Sequence, residues 1–168
     1  MKAVVQRVSR AAVRVEGEVV AEIGRGLLVL LGFGKTDSEA EADWMIEKLL
    51  ALRIFPDDTG KMAHSVADIA GEMLIVSQFT LTGELRKGTR PDFSDAMPPV
   101  KAEPFYRAFM AKLRDRNGNR ENASRLQKIA EGRFGATMEV DLVNEGPVTI
   151  VLERHHPFSE QGATSRSP

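Results

Sequence analysis

Residues 24–34 read GRGLLVLLGFG, an apolar run from Leu27 to Leu31 with Gly24 and Gly26 before it and Gly32 and Gly34 after it. A run without polar members, closed by glycines, suits a central strand buried on both faces. It is far too short for a membrane span, which needs roughly 20 apolar residues. A second run, MLIVSQFTL over Met73 to Leu81, repeats the signal with Ser77, Gln78 and Thr80 inside it. Polar groups within a buried strand must find hydrogen-bond partners or cost stability, so the apolar pattern breaks here for a reason.

Working outward, β-branched residues dominate Lys2 to Val8 and Ala12 to Ile23, and Glu16-Gly17-Glu18 sits between two alternating runs as a hairpin turn does. This predicts a β-meander. Thr36-Asp37-Ser38-Glu39 has capping-box spacing, and Met45, Ile46, Leu49, Leu50 and Leu52 recur at helical intervals, predicting a helix over 38–52. Pro56 to Gly60 is a turn by its chemistry, and Gly83 to Pro99 is an exposed loop of the kind that carries function. Phe105, Phe109 and Leu113 mark a helix whose first turn accommodates Pro104, and Asn117 to Gly132 leads through a polar turn into a second short helical pattern. Met138, Val140 and Leu142 alternate with acids, and Val148 to Leu152 forms another strand after the interruption Asn144-Glu145-Gly146-Pro147. The expected fold is a single α/β domain over residues 1–153, its mixed β-sheets forming a barrel-like core with two or three flanking helices. Residues 154–168 form a polar, aperiodic tail expected to be disordered.

Composition narrows the chemistry. The 168 residues include no cysteine, which excludes disulfides, thiolate metal sites and cysteine nucleophiles and fits a reducing compartment such as the cytoplasm. The amino end, MKAVVQRVSRAAVRVEGE, interrupts its apolar residues with Arg7, Arg10 and Arg14 and so does not read as a signal peptide. A net charge of −1 provides no general field for nucleic acid, so any RNA contact must come from a local patch. His155 and His156 lie in the tail and His64 stands alone, leaving no histidine paired with a nucleophile or a metal. Asp57 and Asp58 read as turn residues, and the glycines around Leu27 lack the lysine and hydroxyl of a phosphate loop. No metal and no cofactor is expected.

Two segments remain: Ser77-Gln78-Phe79-Thr80-Leu81 at the end of a buried strand, and Asn144-Glu145-Gly146-Pro147-Val148-Thr149 between two strands. Both resemble the signature motifs of the D-aminoacyl-tRNA deacylase family, in the expected order. The resemblance extends through Gln6-Arg7-Val8, Gly26 to Gly32, Arg53-Ile54-Phe55, Gly60-Lys61-Met62 and Gly88-Thr89-Arg90-Pro91-Asp92-Phe93. The stretch from Arg116 to Gln127, which looks like an insertion, and the polar tail depart from the family's pattern without touching a motif.

The resemblance implies a homodimeric, metal-independent esterase that acts on D-aminoacyl-tRNA, and on glycyl-tRNA because glycine has no side chain to reject. It implies that the terminal ribose's own hydroxyl assists the attack. Phe79 and Thr80 then lend main-chain donors to the ester while Ser77 and Gln78 hold the strand end. An aminoacyl ester is already activated, so orientation and oxyanion stabilisation supply much of the rate. The alternative makes Thr80 a nucleophile, poorly activated without a base. Gly146 and Pro147, joined by a cis bond, are implied to enter the partner subunit's pocket and exclude L side chains, with Glu145 a surface residue of lesser weight.

Arg7 is implied to brace that loop, although alone it also reads as a strand-edge surface charge. Arg86, Lys87 and Arg90 form the densest basic patch near a motif. Phe93 beside them suits stacking on a base, which the resemblance implies is the terminal adenosine near Arg90 to Phe93, or else reads as a residue tucked into the core. A non-catalytic RNA-binding module and a small-molecule-binding regulatory domain are the rival readings.

Overall fold

Gly26–Gly32 is strand β3 of a six-stranded sheet, and its neighbours explain why it is apolar on both faces. The structure is a computed structural model that describes residues 1–85, 88–120 and 124–154. In chain order its elements are β1 (Lys2–Val15), β2 (Glu18–Ile23), β3, α1 (Glu39–Ala51), β4 (Arg53–Pro56), β5 (Met62–Ser65), β6 (Glu72–Ser77), a 3-10 turn (Phe79–Thr82), α2 (Pro99–Gly118), β7 (Lys128–Glu131) and β8 (Glu139–Glu153). The sheet runs β2-β1-β3-β6-β7, with β8 paired along β1, and β4 and β5 form a separate hairpin. Its end strands β2 and β7 approach across a narrow groove, so the sheet curls into a nearly closed barrel.

Curling gives the sheet two apolar faces. Leu28, Leu74 and Val76 point into the barrel with Val8, Ala11, Val13 and Ile23. Their alternates Leu27, Val29, Leu31, Met73 and Ile75 point out, against Met45, Ile46 and Leu49 of α1 and Tyr106, Phe109 and Leu113 of α2. Each such side chain contributes about 1.5–3 kcal/mol by burial, so the period-two alternation of an exposed sheet gives way to a continuous run. In β1 the pairing with β8 shifts around Val8. That bulge turns the strand over, so Ala3 and Val5 face the helices while Val8, Ala11 and Val13 face the barrel.

β3 and β6 are parallel, with Gly26 opposite Glu72 and Leu31 opposite Ser77. A side chain at Gly26 would place its Cβ 1.8 Å from the Glu72 carbonyl oxygen, which explains the glycine that opens the run. At the other end a Cβ on Gly32 would lie 2.8 Å from the Gln78 carbonyl oxygen. Glycine there lets the chain after β6 fold over the end of β3.

Several local expectations change in tertiary context. The capping box of α1 is Ser38 with Glu41 rather than Thr36 with Glu39, because the Asp37 carboxylate accepts from Gly34 N–H at 2.7 Å and leaves Ser38 as the cap. The run Met73 to Leu81 is not one strand: β6 stops at Ser77 and a 3-10 turn follows. α2 starts with Pro99 at its first turn, before Pro104, which sits inside the helix on an exposed position where its missing N–H costs least. The second short helical pattern before Gly132 is strand β7, paired in parallel with Glu72 to Ile75 of β6. The open edge of β6 offers main-chain partners, and pairing overrides a weak local pattern. The segments around Asn144 to Pro147 belong to one continuous β8. Among the described residues the helices that pack on the sheet are therefore two.

Candidate active site

β6 ends at the carboxyl edge of the parallel pair, where ligand sites form in α/β sheets. Gln78 N–H still donates to the Leu31 carbonyl at 2.8 Å, and beyond it the chain leaves the sheet. The turn is closed by Leu81 N–H on the Gln78 carbonyl, Gly83 N–H on the Thr80 carbonyl and the Thr82 hydroxyl on the Phe79 carbonyl. Two of the three polar members of the run are thereby accounted for, because Gln78 and Thr80 lie outside the sheet and the Gln78 amide donates to the Thr80 hydroxyl, while Ser77 closes β6 at the edge of the cavity. The main-chain N–H groups of Phe79 and Thr80 donate to nothing among the described residues.

The turn borders a cavity of about 580 Å³. Ser77, Gln78 and Phe79 line one side, Phe93 and Met97 another, and Phe134 to Ala136 with Met138 the far wall. Among the described residues no ionisable side chain lines it. Phe79 and Phe93 meet edge to face, centroids 5.3 Å apart, and both stay partly exposed at the rim, Phe79 at 59 % and Phe93 at 36 %. The loop that brings Phe93 there is pinned by paired main-chain bonds between Glu84 and Asp92 and by Met97 N–H on the Phe33 carbonyl. Arg90 is exposed in this loop and does not line the cavity; Arg86 and Lys87 lie outside the described residues. Beneath the site the Tyr106 hydroxyl donates to the Ile75 carbonyl at 3.1 Å, and burial pushes its pKa far up, so it remains a neutral structural donor.

Arg7, Gly146 and Pro147 come together elsewhere, and none of them lines this cavity. Gly146 has φ +120° and a cis bond to Pro147. A Cβ there would meet Arg7 Nη2 and Val148 Cγ2, each at 2.9 Å, so a guanidinium rests directly on the glycine backbone. Arg7 is only 9 % exposed; its Nε donates to the Glu145 carbonyl at 3.2 Å and its Nη1 to the Ile54 carbonyl. The strand-edge surface-charge reading of Arg7 is therefore excluded by its burial. On the other side, the Asn144 carboxamide accepts from Val148 N–H at 3.0 Å and donates to Gln6 and Thr149, which closes the bend over Gly146-Pro147.

Sequence reasoning missed the wall from Phe134 to Met138, which lacks any polar signature, and it missed Asn144 and Gln6 as clamps although both stand in quoted motifs. Glu145 was read as plain surface. Instead, one of its carboxylate oxygens is buried between two arginines. Among the described residues no three histidine, aspartate or glutamate side chains converge to hold a metal ion. No described helix is long and apolar enough to cross a membrane.

The curled α/β sheet thus carries, at a parallel-strand end, a cavity with no ionisable side chain among the described residues, beside a turn in which two main-chain N–H groups donate to nothing described. The model of the D-Tyr-tRNA(Tyr) deacylase family matches residues 4–153, and the chain belongs to that family of D-aminoacyl-tRNA deacylases. It is 50 % identical over 155 residues to the D-aminoacyl-tRNA deacylase of Opitutus terrae, covering 92 % of this chain and 98 % of that protein. With the Myxococcus xanthus D-aminoacyl-tRNA deacylase it shares 49 % identity over 162 residues, 96 % of this chain and all of the relative. Among solved structures, the c-Myc DNA unwinding element binding protein superposes with a TM-score of 0.83 at 47 % identity, covering 93 % of this chain and 100 % of that one. A structure described as "a probable eukaryotic D-amino acid tRNA deacylase" gives 0.73 at 19 % identity over 90 % of this chain and 97 % of its own, a likeness of fold alone.

Proposed function

We propose that this protein hydrolyses the ester bond of D-aminoacyl-tRNA, and of glycyl-tRNA, releasing free amino acid and tRNA as chiral proofreading in the cytoplasm. The observation that supports the chemistry is a cavity without an ionisable side chain among the described residues, lined by Phe79, whose N–H and that of Thr80 next to it donate to nothing described. Such donors, fixed by the end of β6, stabilise an ester oxyanion without reorganising. Water adds to the ester carbonyl with help from the neighbouring ribose hydroxyl, the oxyanion faces the two N–H groups, and the ester's ribose oxygen leaves as a hydroxyl. Ser77 and Gln78 hold the strand end in this scheme. The Thr80 hydroxyl accepts from the Gln78 amide and among the described residues no base is bonded to it, which weighs against its acting as nucleophile.

Phe79 and Phe93 at the rim, with the exposed Arg90 three residues before Phe93 in the same loop, suit the terminal adenosine of an RNA, stacking being tolerant of geometry and worth about 1–3 kcal/mol per base. Gly146 and Pro147 act in the pocket of a second copy. In support, they lie together with Arg7 and outside their own chain's cavity. Their backbone leaves room only for hydrogen on one side of the substrate's α-carbon, so L side chains collide and D side chains point outward.

Purified protein given matched D-alanyl, L-alanyl and glycyl esters of one tRNA tests this directly. D-alanyl and glycyl esters are expected to be cleaved and the L-alanyl ester spared. Equal cleavage of D and L overturns the chiral reading; tRNA binding without turnover favours the RNA-binding module.

A further inference from the structure

Arg7, Glu145 and Arg25 come from three separate parts of the fold: β1, the bend of β8, and the turn between β2 and β3. One Glu145 carboxylate oxygen lies 3.5 Å from Arg7 Nε and 3.6 Å from Arg25 Nε. That oxygen is buried and accepts no hydrogen bond. Deprived of such a bond, it is held by charge alone, by the buried guanidinium of Arg7 on one side and the half-exposed one of Arg25 on the other. Arg25 is anchored in turn, its guanidinium lying 5.6 Å over the Phe55 ring of β4, next to the Ile54 carbonyl that Arg7 reaches. The chain of contacts therefore runs from Phe55 through Arg25 and Glu145 to Arg7, and Arg7 rests on the Gly146 backbone.

We propose that Arg25 is a positioning residue for chiral selection: by holding the Glu145 carboxylate it keeps Arg7 seated on Gly146 and so fixes the direction of the backbone that refuses L-amino acids. This rests on the exclusion reading above and adds to it a residue outside both signature motifs. Arg25 touches neither the cavity nor Gly146. It is half exposed at 49 %. Its loss therefore frees Glu145 to swing toward solvent without unfolding the domain. An ion pair of this exposure shifts an equilibrium by about two- to five-fold, and that is the size of the leak expected.

The test compares kcat/KM for L-alanyl and D-alanyl esters of one tRNA using the full-length protein. Arg25→Ala and Glu145→Gln each raise the L-to-D ratio about two- to five-fold. Because both remove one clamp, the double variant gives no more than the larger single effect. Arg25→Lys, which keeps the charge, recovers part of the discrimination. Raising salt increases the ratio of the unaltered protein but not that of Arg25→Ala. Lys128→Ala, an exposed cation away from the cluster, leaves the ratio unchanged. An unaltered protein that cleaves both esters equally defeats the exclusion reading itself. An unaltered protein that discriminates, with Arg25→Ala and Glu145→Gln keeping its ratio or adding independently, overturns the role of Arg25 alone.

Discussion

Gly32→Ala separates the position of the strand-end turn from the chemistry of any side chain in it. An added Cβ would stand 2.8 Å from the Gln78 carbonyl oxygen and 3.0 Å from Leu81 Cβ, whereas ordinary contact begins at 3.4 Å. The turn must then retreat by about 0.6 Å, and the obstacle is main chain, which cannot rotate away as a side-chain tip does. Overpacking of this kind costs about 1–3 kcal/mol, a fall in melting temperature of about 2–12 °C for a domain of this size. The catalytic loss is expected to be larger than that suggests. A 1 Å misplacement of working groups costs about 100-fold, so a displacement near 0.6 Å is expected to lower kcat about ten-fold or more. Thermal melting and single-turnover deacylation of a D-alanyl ester read the two effects separately, well below the melting temperature. A folded variant with undiminished single-turnover rate refutes the assignment of the Phe79 and Thr80 main chain as the working part of the site.

Thr80→Ala is expected to retain substantial turnover, within about ten-fold of the unaltered protein, because the hydroxyl is not the working group, whereas a substrate lacking the neighbouring ribose hydroxyl reacts far more slowly. Abolished turnover in folded Thr80→Ala, with the deoxy substrate unaffected, reverses the assignment. Phe93→Ala removes half of the edge-to-face pair at the rim and is expected to raise KM about ten-fold with a smaller change in kcat; an unchanged KM places the adenosine elsewhere. Asp68 gives a pH signature away from the site. The Ser65 N–H and hydroxyl, both at 2.8 Å, hold its carboxyl below the usual range. A depressed folded-state pKa contributes stability above the unfolded value of about 3.9 and loses it as pH falls through the folded value. Asp68→Asn is therefore expected to lower the melting temperature slightly at neutral pH, by an amount that vanishes in strong acid, and a pH-independent difference contradicts this.

The outline of the fold and both signature motifs were legible in the sequence because they depend on local or near-local chemistry. Glycines beside the Leu27 to Leu31 run marked a buried strand, helical spacing marked α1, and the polar interruption at Ser77 to Thr80 marked the place where the chain leaves the sheet. What escaped depends on residues far apart in the chain. The segment before Gly132 carries a weak local pattern and becomes β7 only because β6 offers an unpaired edge. The cavity wall from Phe134 to Met138 is ordinary apolar sequence until the sheet curls.

By itself the sequence determined the family, the central strand β3, the turn chemistry and the two motifs, since each rests on residue type and short spacing. Only the tertiary structure decided that Met73 to Leu81 divides into strand and turn, because Gly32 lets main chain approach main chain across a gap invisible in one dimension. It alone buried Arg7 against Gly146 and brought Glu145 and Arg25 to its side. Arg7, Arg25 and Glu145 are joined by strand pairing that spans nearly the whole chain, and an electrostatic contact made at such separation leaves no periodic trace in the sequence.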